Sequence, residues 1–425
     1  MKANKIKIVA CLLVGYVGLT LLVLLLLWGA YSIPREKLYP QVVQSNVVLQ
    51  TEGEYPTIPL FGNKVRDNYS DACMLNVAFC SEEGTALDNL RNAMRSDEPV
   101  EGGELDGLEE AIRIYPLLPD CFSYSRYWHG YQMYFRPLLT VFNLRQIRIV
   151  NYILLISLAC MVLVMLWRKL DIWYAIAMAL ALLAVAFPIV PKCLHFSAIF
   201  YVGFISMICA LYMPESKNES ILRPLLFFIA GAMTSCLDLL TAPMIPLALL
   251  LITDSLSHRY IGTRWEQFRD RMADLIGFGL LWCLGYVMFW ITKFAIGSII
   301  LDSNLFIDAF SQTSARMDAS YASFTDWVIK VVLLPIKHNH ILAFAEILVV
   351  YILCRWKKYS NAILANAWLL VVAMIEPVWL LLLRQHTMIH YSIFVWRSEI
   401  ILILCLAIFA YRVIMQTKGN EKPVC

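Results

Sequence analysis

"IVACLLVGYVGLTLLVLLLLWGA", Ile8 to Ala30, decides the fold class. Twenty-three residues without a charge are enough to cross about 30 Å of hydrocarbon as a helix. The run follows "MKANKIK". It exceeds the ~7–15 residues of a signal-peptide core and no A-x-A site closes it, so we read it as a retained first helix. Similar apolar windows recur near 147–168, 172–191, 194–213, 222–237, 241–253, 273–297, 341–355, 362–383 and 398–415. The expectation is an all-α integral membrane protein of about ten transmembrane helices, one polytopic domain over residues 1–425. The windows on either side of "DLLTAP" are short, and Pro243 and Pro246 interrupt the second, which predicts a broken or partial span there.

Composition agrees. The chain is 60% hydrophobic and 16% charged, against roughly 45–50% and 25% in soluble domains. A net charge of +3 with no basic block excludes nucleic acid as the expected partner. The twelve cysteines lie singly and outside metal-ligand spacings; Cys73, Cys80 and Cys121 share one loop in which a disulfide can form if that loop faces an oxidising compartment.

Lys and Arg in the short loops set the orientation. With the N-terminus inside, "WRKLD", "ESKNESILR", "SHRYIGTRWEQFRDR", "RWKK" and "TKGNEK" all fall on the cytoplasmic side. Residues 31–146, 298–340 and 384–397 are then extracytoplasmic. The last of these, "RQHTMIHYSIFVWR", carries Arg384, His386, His390 and Arg397 where short outer loops usually avoid positive charge. A cluster of donors at a membrane surface suits an anionic ligand, most simply a phosphate. Each arginine alone also fits a helix-end anchor that snorkels to headgroups.

The first outer loop reads as a folded cap: "RDNYSDACMLNVAF" and "CFSYSRYWHGYQMYFRPLL" carry apolar residues at helical spacing, which predicts helices along the membrane surface, and "LDGLEEAIRIYPLL" between them is a short amphipathic segment. Its acidic stretch 81–110 shows no ligand spacing and reads as a solvated face. Asp67 and Asp71 are four apart and share a helix face; Asp67 also stands where an N-cap is expected. A carboxylate above the membrane, facing a phosphate site, can deprotonate an attacking hydroxyl. The sequon Asn68-Tyr-Ser70 would crowd such a site and is discounted. The run "CFSYSRYWHGYQMYFRPLL" supplies Arg126, Trp128 and His129 either to an interfacial belt or to a sugar platform. Asp238, before the broken segment, suits a cap or an acceptor contact. Residues 327–340 predict an amphipathic outer helix whose Lys337 can join the phosphate site; His338 and His340, two apart, do not share a face, which argues against a metal pair.

The segments "DNYSDACML", "YSRYWHGYQMYFRPLL", "DLLTAP" and "HTMIHYSIFVWR" together resemble the GT-C superfamily of polytopic glycosyltransferases, and within it bacterial glycosyltransferase-like membrane proteins. The resemblance implies a sugar donor on a polyprenyl phosphate, a glycan or glycolipid acceptor in the cell envelope, inverting transfer, and a site on the outer face of a bacterial plasma membrane amid membrane lipids. It points to Asp67 or Asp71 as base and to Arg397, His390, His386 and Arg384 as holders of the donor phosphate. The chain lacks the WWDYG-type motif of oligosaccharyltransferases. No cofactor is required by the sequence, no metal ligands are assigned, and a divalent metal stays open. A transporter or flippase of lipid-linked sugars, with Glu346 and Glu376 as its midspan charges, and a polymerase of lipid-linked repeats remain as alternatives.

The orientation predicts that, in a cysteine-free background, a cysteine at Ser81 reacts with an impermeant thiol reagent in intact cells and one at Ser257 does not.

Overall fold

A computed structural model describes residues 2–59, 64–80, 86, 94–96, 103–117, 119–124, 127–213, 219–301 and 304–417. Helix α1 (Lys2–Tyr31) leads into the cap, built from α2 (Arg35–Glu52), α3 (Asn68–Phe79), α4 (Glu104–Arg113) and α5 (Gln132–Leu139). Two antiparallel two-stranded ribbons, β1 (Thr57–Ile58) with β2 (Lys64–Val65) and β3 (Met94–Ser96) with β4 (Cys121–Ser123), tie its loops. The bundle follows as α6 (Leu144–Lys169), α7 (Ile172–Ala184), α8 (Leu194–Tyr212), α9 (Glu219–Leu237), α10 (Met244–Ser257) and α11 (Arg264–Leu301). After α12 (Leu305–Arg316) come α13 (Phe324–His338), α14 (His340–Cys354), α15 (Trp356–Ala373), α16 (Ile375–Leu382), α17 (Arg384–His390) and α18 (Glu399–Thr417).

Among the described residues six helical segments are long and apolar enough to cross a membrane, seven if the bent pair α13–α14 is one span. This is an all-α, multi-pass membrane protein. Each of the ten apolar windows lies on a helix, but the three at 172–184, 221–237 and 244–257 are shorter than a full span. Prolines explain two of these limits: Pro191 lies in the 3-10 turn Phe187–Lys192 that follows α7, and Pro243 stands at the start of α10. Residues 327–340 form no straight helix. A π-turn at Ile329–Leu333 interrupts α13, and α14 leaves it at 100°.

Side chains at helix ends account for local starts. Asn143 and Gln146 make a reciprocal capping box at α6, and Asp171 accepts from the Trp173 N–H at α7. Arg136, 1% exposed, donates to the carbonyls of Ala30 (3.0 Å), Ile33 (2.6 Å) and Ala78, which fastens α5 to the ends of α1 and α3. The cap differs from expectation in one respect. Helix α3 is buried from Asp71 to Phe79 and forms the cap's core instead of lying on a membrane surface, because α2, α4 and α5 cover both its faces. Cys80 and Cys121 are in hydrogen-bonding contact, and Cys73 lies apart from them against Arg95. Asn68 is fully buried and its amide donates to the Gly53 carbonyl at 2.7 Å, so the sequon has no room for a glycan. Much of the acidic stretch 81–110, and Arg126, lie outside the described residues.

Helices α9 and α11 meet backbone to backbone. A Cβ on Gly231 would run into the Trp282 carbonyl, and one on Gly285 into the Phe228 carbonyl. In lipid, such small-residue contacts replace the hydrophobic drive that packs soluble helices. Gly231→Leu or Gly285→Leu is therefore expected to lower the thermal stability of the detergent-solubilised protein by about 1–3 kcal/mol or more. Gly18→Leu, where nothing lies within 4 Å, should leave it nearly unchanged.

Candidate functional site

Asp67 caps α3, accepting from the Ser70 N–H at 2.9 Å and from its hydroxyl at 2.8 Å. Its Oδ2 lies 3.3 Å from His195 Nε2 at the start of α8. Both are almost completely buried, and the other ring nitrogen, Nδ1, faces Asp71 Oδ1 at 3.8 Å, so His195 stands between the two carboxylates. Burial pushes the Asp67 carboxyl upward, but the adjacent His195 and the Ser70 bonds outweigh it and hold the group below its ordinary range.

The second carboxylate has a different fate. Asp71 Oδ2 accepts from Arg148 Nε at 3.0 Å and Nη2 at 2.7 Å, and Oδ1 accepts from the Leu194 N–H at 2.9 Å. Arg148 also holds Asn68 Oδ1 and Glu52. Asp71 is thus a joint between α3, α6 and α8, with both oxygens engaged, while Asp67 keeps its side open towards His195.

The distal loop arrives against this pair. Its Phe394 ring lies 5.8 Å from the His195 ring and stacks on His390 at 5.0 Å, and His390 feels the Asp67 charge. Arg397, 2% exposed, places its guanidinium 4.3 Å from the Phe196 ring centre and 4.8 Å from that of Trp396. It donates to the carbonyls of Ile393 (3.0 Å) and Val65 (3.3 Å), the latter two residues before Asp67. Arg397 Nε and His390 Nδ1 have no hydrogen-bond partner among the described residues. Lys64 sits 4.1 Å from the Trp396 ring; burial lowers its pKa, with Arg397 adding to this and Glu399 opposing it.

A cavity of about 100 Å³ lies beside the cluster, lined among others by Trp128, Asp238, Tyr286, Trp290, Lys293 and Arg316. Burial drives the Asp238 carboxyl up to about 6 against two bonds from Thr241, and its Oδ2 is without a hydrogen-bond partner. Leu240, also on the lining, has φ +66, a left-handed conformation rare for leucine, and its carbonyl meets His386 Nε2 at 3.0 Å.

The structure therefore brings together Asp67, His390 and Arg397, sets Trp128 and Asp238 in an adjoining cavity, and separates other expected members. Burial pushes the pKa of His386 down to about 3, so the ring is neutral and donates to Leu240. Burial likewise lowers His390 despite the neighbouring Asp67. As neutral rings these histidines are orienting groups, not cationic phosphate holders. His129, pushed by burial to about 3, spends both nitrogens on the Tyr124 carbonyl and the Tyr131 hydroxyl, leaving none for a sugar. Arg384 donates to the Ala319 and Ala322 carbonyls, and Lys337 is exposed at the end of α13; neither touches the Asp67 cluster. Three participants, His195, Lys64 and Arg148, were passed over in the sequence. Only His195 carried a signal, as the one histidine in the short outer turn "PKCLHFS".

Among the described residues no group of three His, Cys, Asp or Glu side chains is placed to hold a metal ion. No protein-family model, no curated protein and no solved structure matches the chain.

The two aspartates separate experimentally. Asp71→Ala leaves the buried Arg148 with Glu52 as its one remaining carboxylate among the described residues and is expected to cost up to about 3–5 kcal/mol. Asp67→Ala should cost about 0.5–2 kcal/mol, the range of a lost cap. Because the Asp67 pKa is depressed on folding, its stabilisation is present above the unfolded value of about 3.9 and is lost as pH falls through the folded value. Thermal unfolding in detergent from pH 7 to 3 reads both.

Proposed function

We propose that the protein is an inverting glycosyltransferase acting on the extracytoplasmic face of a bacterial plasma membrane, with a polyprenyl-phosphate-linked sugar as donor and a cell-envelope glycan or glycolipid as acceptor. The observation that carries this reading is the convergence of Asp67 and Arg397, 330 positions apart, in one buried cluster whose Arg397 Nε and His390 Nδ1 lack hydrogen-bond partners among the described residues. Buried polar groups left unpaired are uncommon and point to a ligand.

Asp67 accepts the proton of the acceptor hydroxyl, the oxygen forms its bond to the anomeric carbon, and the bond from that carbon to the phosphate oxygen breaks on the opposite face. Arg397, with Lys64 beside it, meets the charge that grows on the departing phosphate. Donors of this kind are worth ~10²–10³ in rate in anion sites where they act on the transition state. His195 orients Asp67 and keeps it ionised. Trp128 and Asp238 line the cavity that takes the sugar.

One feature favours a second reading, proton-coupled transport of a lipid-linked sugar. Glu376 bonds Ser398 at 2.9 Å and Glu399 bonds Tyr391 at 2.8 Å, both carboxyls buried inside apolar helices. Intramembrane carboxyls often mark ion paths. The two readings part at Asp67. In the enzyme, Asp67→Asn abolishes transfer and leaves donor binding nearly intact, since the amide cannot accept the proton. Arg397→Ala lowers transfer by ~10²-fold or more and Arg397→Lys recovers little, because a point charge does not replace a planar fork. Transfer from a panel of polyprenyl-linked radiolabelled sugars, measured on the purified variants, checks this. Full transfer in Asp67→Asn refutes the enzyme.

A further inference from the structure

On the far side of Asp71 from His195, the outer end of α6 carries a second charged feature that the transfer reaction leaves unused. A cavity of about 350 Å³ is lined by Arg66, Arg145, Arg148 and Lys192, with Glu52, Tyr152 and the apolar Val48, Ile149 and Ile153. Its polar floor is built. Arg148, 6% exposed, is clamped by Asp71 and Asn68, both at 2.7 Å, and by Glu52 at 2.9 Å. Arg66 pairs with the same Glu52, and Lys192 stands 5.9 Å from the Tyr152 ring.

Three observations identify what it would take. Four cations face two carboxylates, Glu52 and Asp71, so an excess of two positive charges remains. That excess matches the dianion of a phosphate monoester, which is nearly complete above a second pKa of about 6. Arg145 and Arg148 lie in the first turns of a 26-residue helix, the end where the backbone dipole disfavours cations. Positive charge gathered there is compensated only by an anion. The rim beyond the cations is the membrane face of α6, where Ile149 and Ile153 are 53% and 59% exposed. A free phosphate would gain nothing from that rim, whereas a lipid chain would lie along it.

We propose that this cleft binds a lipid ending in a phosphate monoester, its headgroup among Arg66, Arg145, Arg148 and Lys192 and its chain on the Ile149–Ile153 face. The site does not depend on the transfer reaction. Arg66 directly precedes Asp67, so a lipid held here sits against the reaction cluster on its membrane side.

The test is binding of undecaprenyl phosphate to the purified full-length protein in neutral detergent, followed by native mass spectrometry. The Arg397→Ala background removes the proposed donor site, so failure here and failure of the transfer reading are read separately. Arg145→Gln with Lys192→Gln, two side chains outside the catalytic cluster, should weaken binding about tenfold. Arg168→Gln with Lys169→Gln, at the other end of α6, should leave binding unchanged, and all variants should unfold at the parent temperature. Undecaprenol should fail to bind, and inorganic phosphate at about 10 mM should not displace the lipid, a range where simple ion competition would. Binding of the Arg145/Lys192 variant within twofold of the parent overturns the site, as does an equal loss in the Arg168/Lys169 control. Phosphatidylglycerol binding as tightly and with the same charge dependence overturns the monoester assignment, and displacement by inorganic phosphate overturns the lipid.

Discussion

The contact between Asp71 and Arg148 is the constraint on which the cap side of the protein rests. It joins the cap helix α3 to the first turns of α6, and through the Leu194 N–H to the start of α8. With neither partner exposed, the pair gains stability only by satisfying every lone pair and proton that burial takes from water. Asn68, Glu52 and Leu194 complete that requirement. Rigidity at Asp71 then fixes Asp67 one helical turn away, and so sets the 3.3 Å approach of Asp67 to His195.

Division of labour between the two carboxylates follows from their surroundings. Asp71 has an arginine for a neighbour and no spare oxygen; Asp67 has a histidine and two local donors, and it faces the loop that brings Arg397. In a site of low dielectric the interaction between Asp67 and Arg397 reaches further than it would in water. Phe196 and Trp396 lie against the guanidinium, and Phe394 packs on Phe196 beside them. Neutral His386 and His390 suit such a dry setting, because charging them would place buried cations beside Arg316.

Helix packing delivers this geometry. The glycine contacts between α9 and α11 bring two backbones together and carry the "DLLTAP" turn towards the cap. Gly130 completes the connection: its N–H donates to the Cys236 carbonyl at 3.1 Å, and a Cβ there would lie 2.5 Å from that oxygen. Trp128, two residues earlier, bonds the Phe289 carbonyl on α11 at 2.8 Å. The cap is therefore bolted to the bundle at the rim of the cavity that holds Asp238.

Hydropathy alone was enough to mark every apolar helix, since a run such as Ile8–Ala30 has no other stable setting than lipid. It was not enough to say which of them span, because proline and chain length at 172–184, 221–237 and 244–257 decide that locally. Spacing placed Asp67 and Asp71 on one face, and charge bias singled out Arg397 and His390. Spacing could not tell the aspartates apart: Arg148, 77 positions from Asp71, holds Asp71 and leaves Asp67 to His195, and only folding brings it there. Arg397, Arg384 and His129 look equivalent in a one-dimensional reading. In the fold Arg397 reaches the cluster, Arg384 turns to the Ala319 and Ala322 carbonyls, and His129 closes on its own loop. Local chemistry is written in the order of residues, whereas which polar atoms are left unpaired depends on contacts between segments hundreds of positions apart.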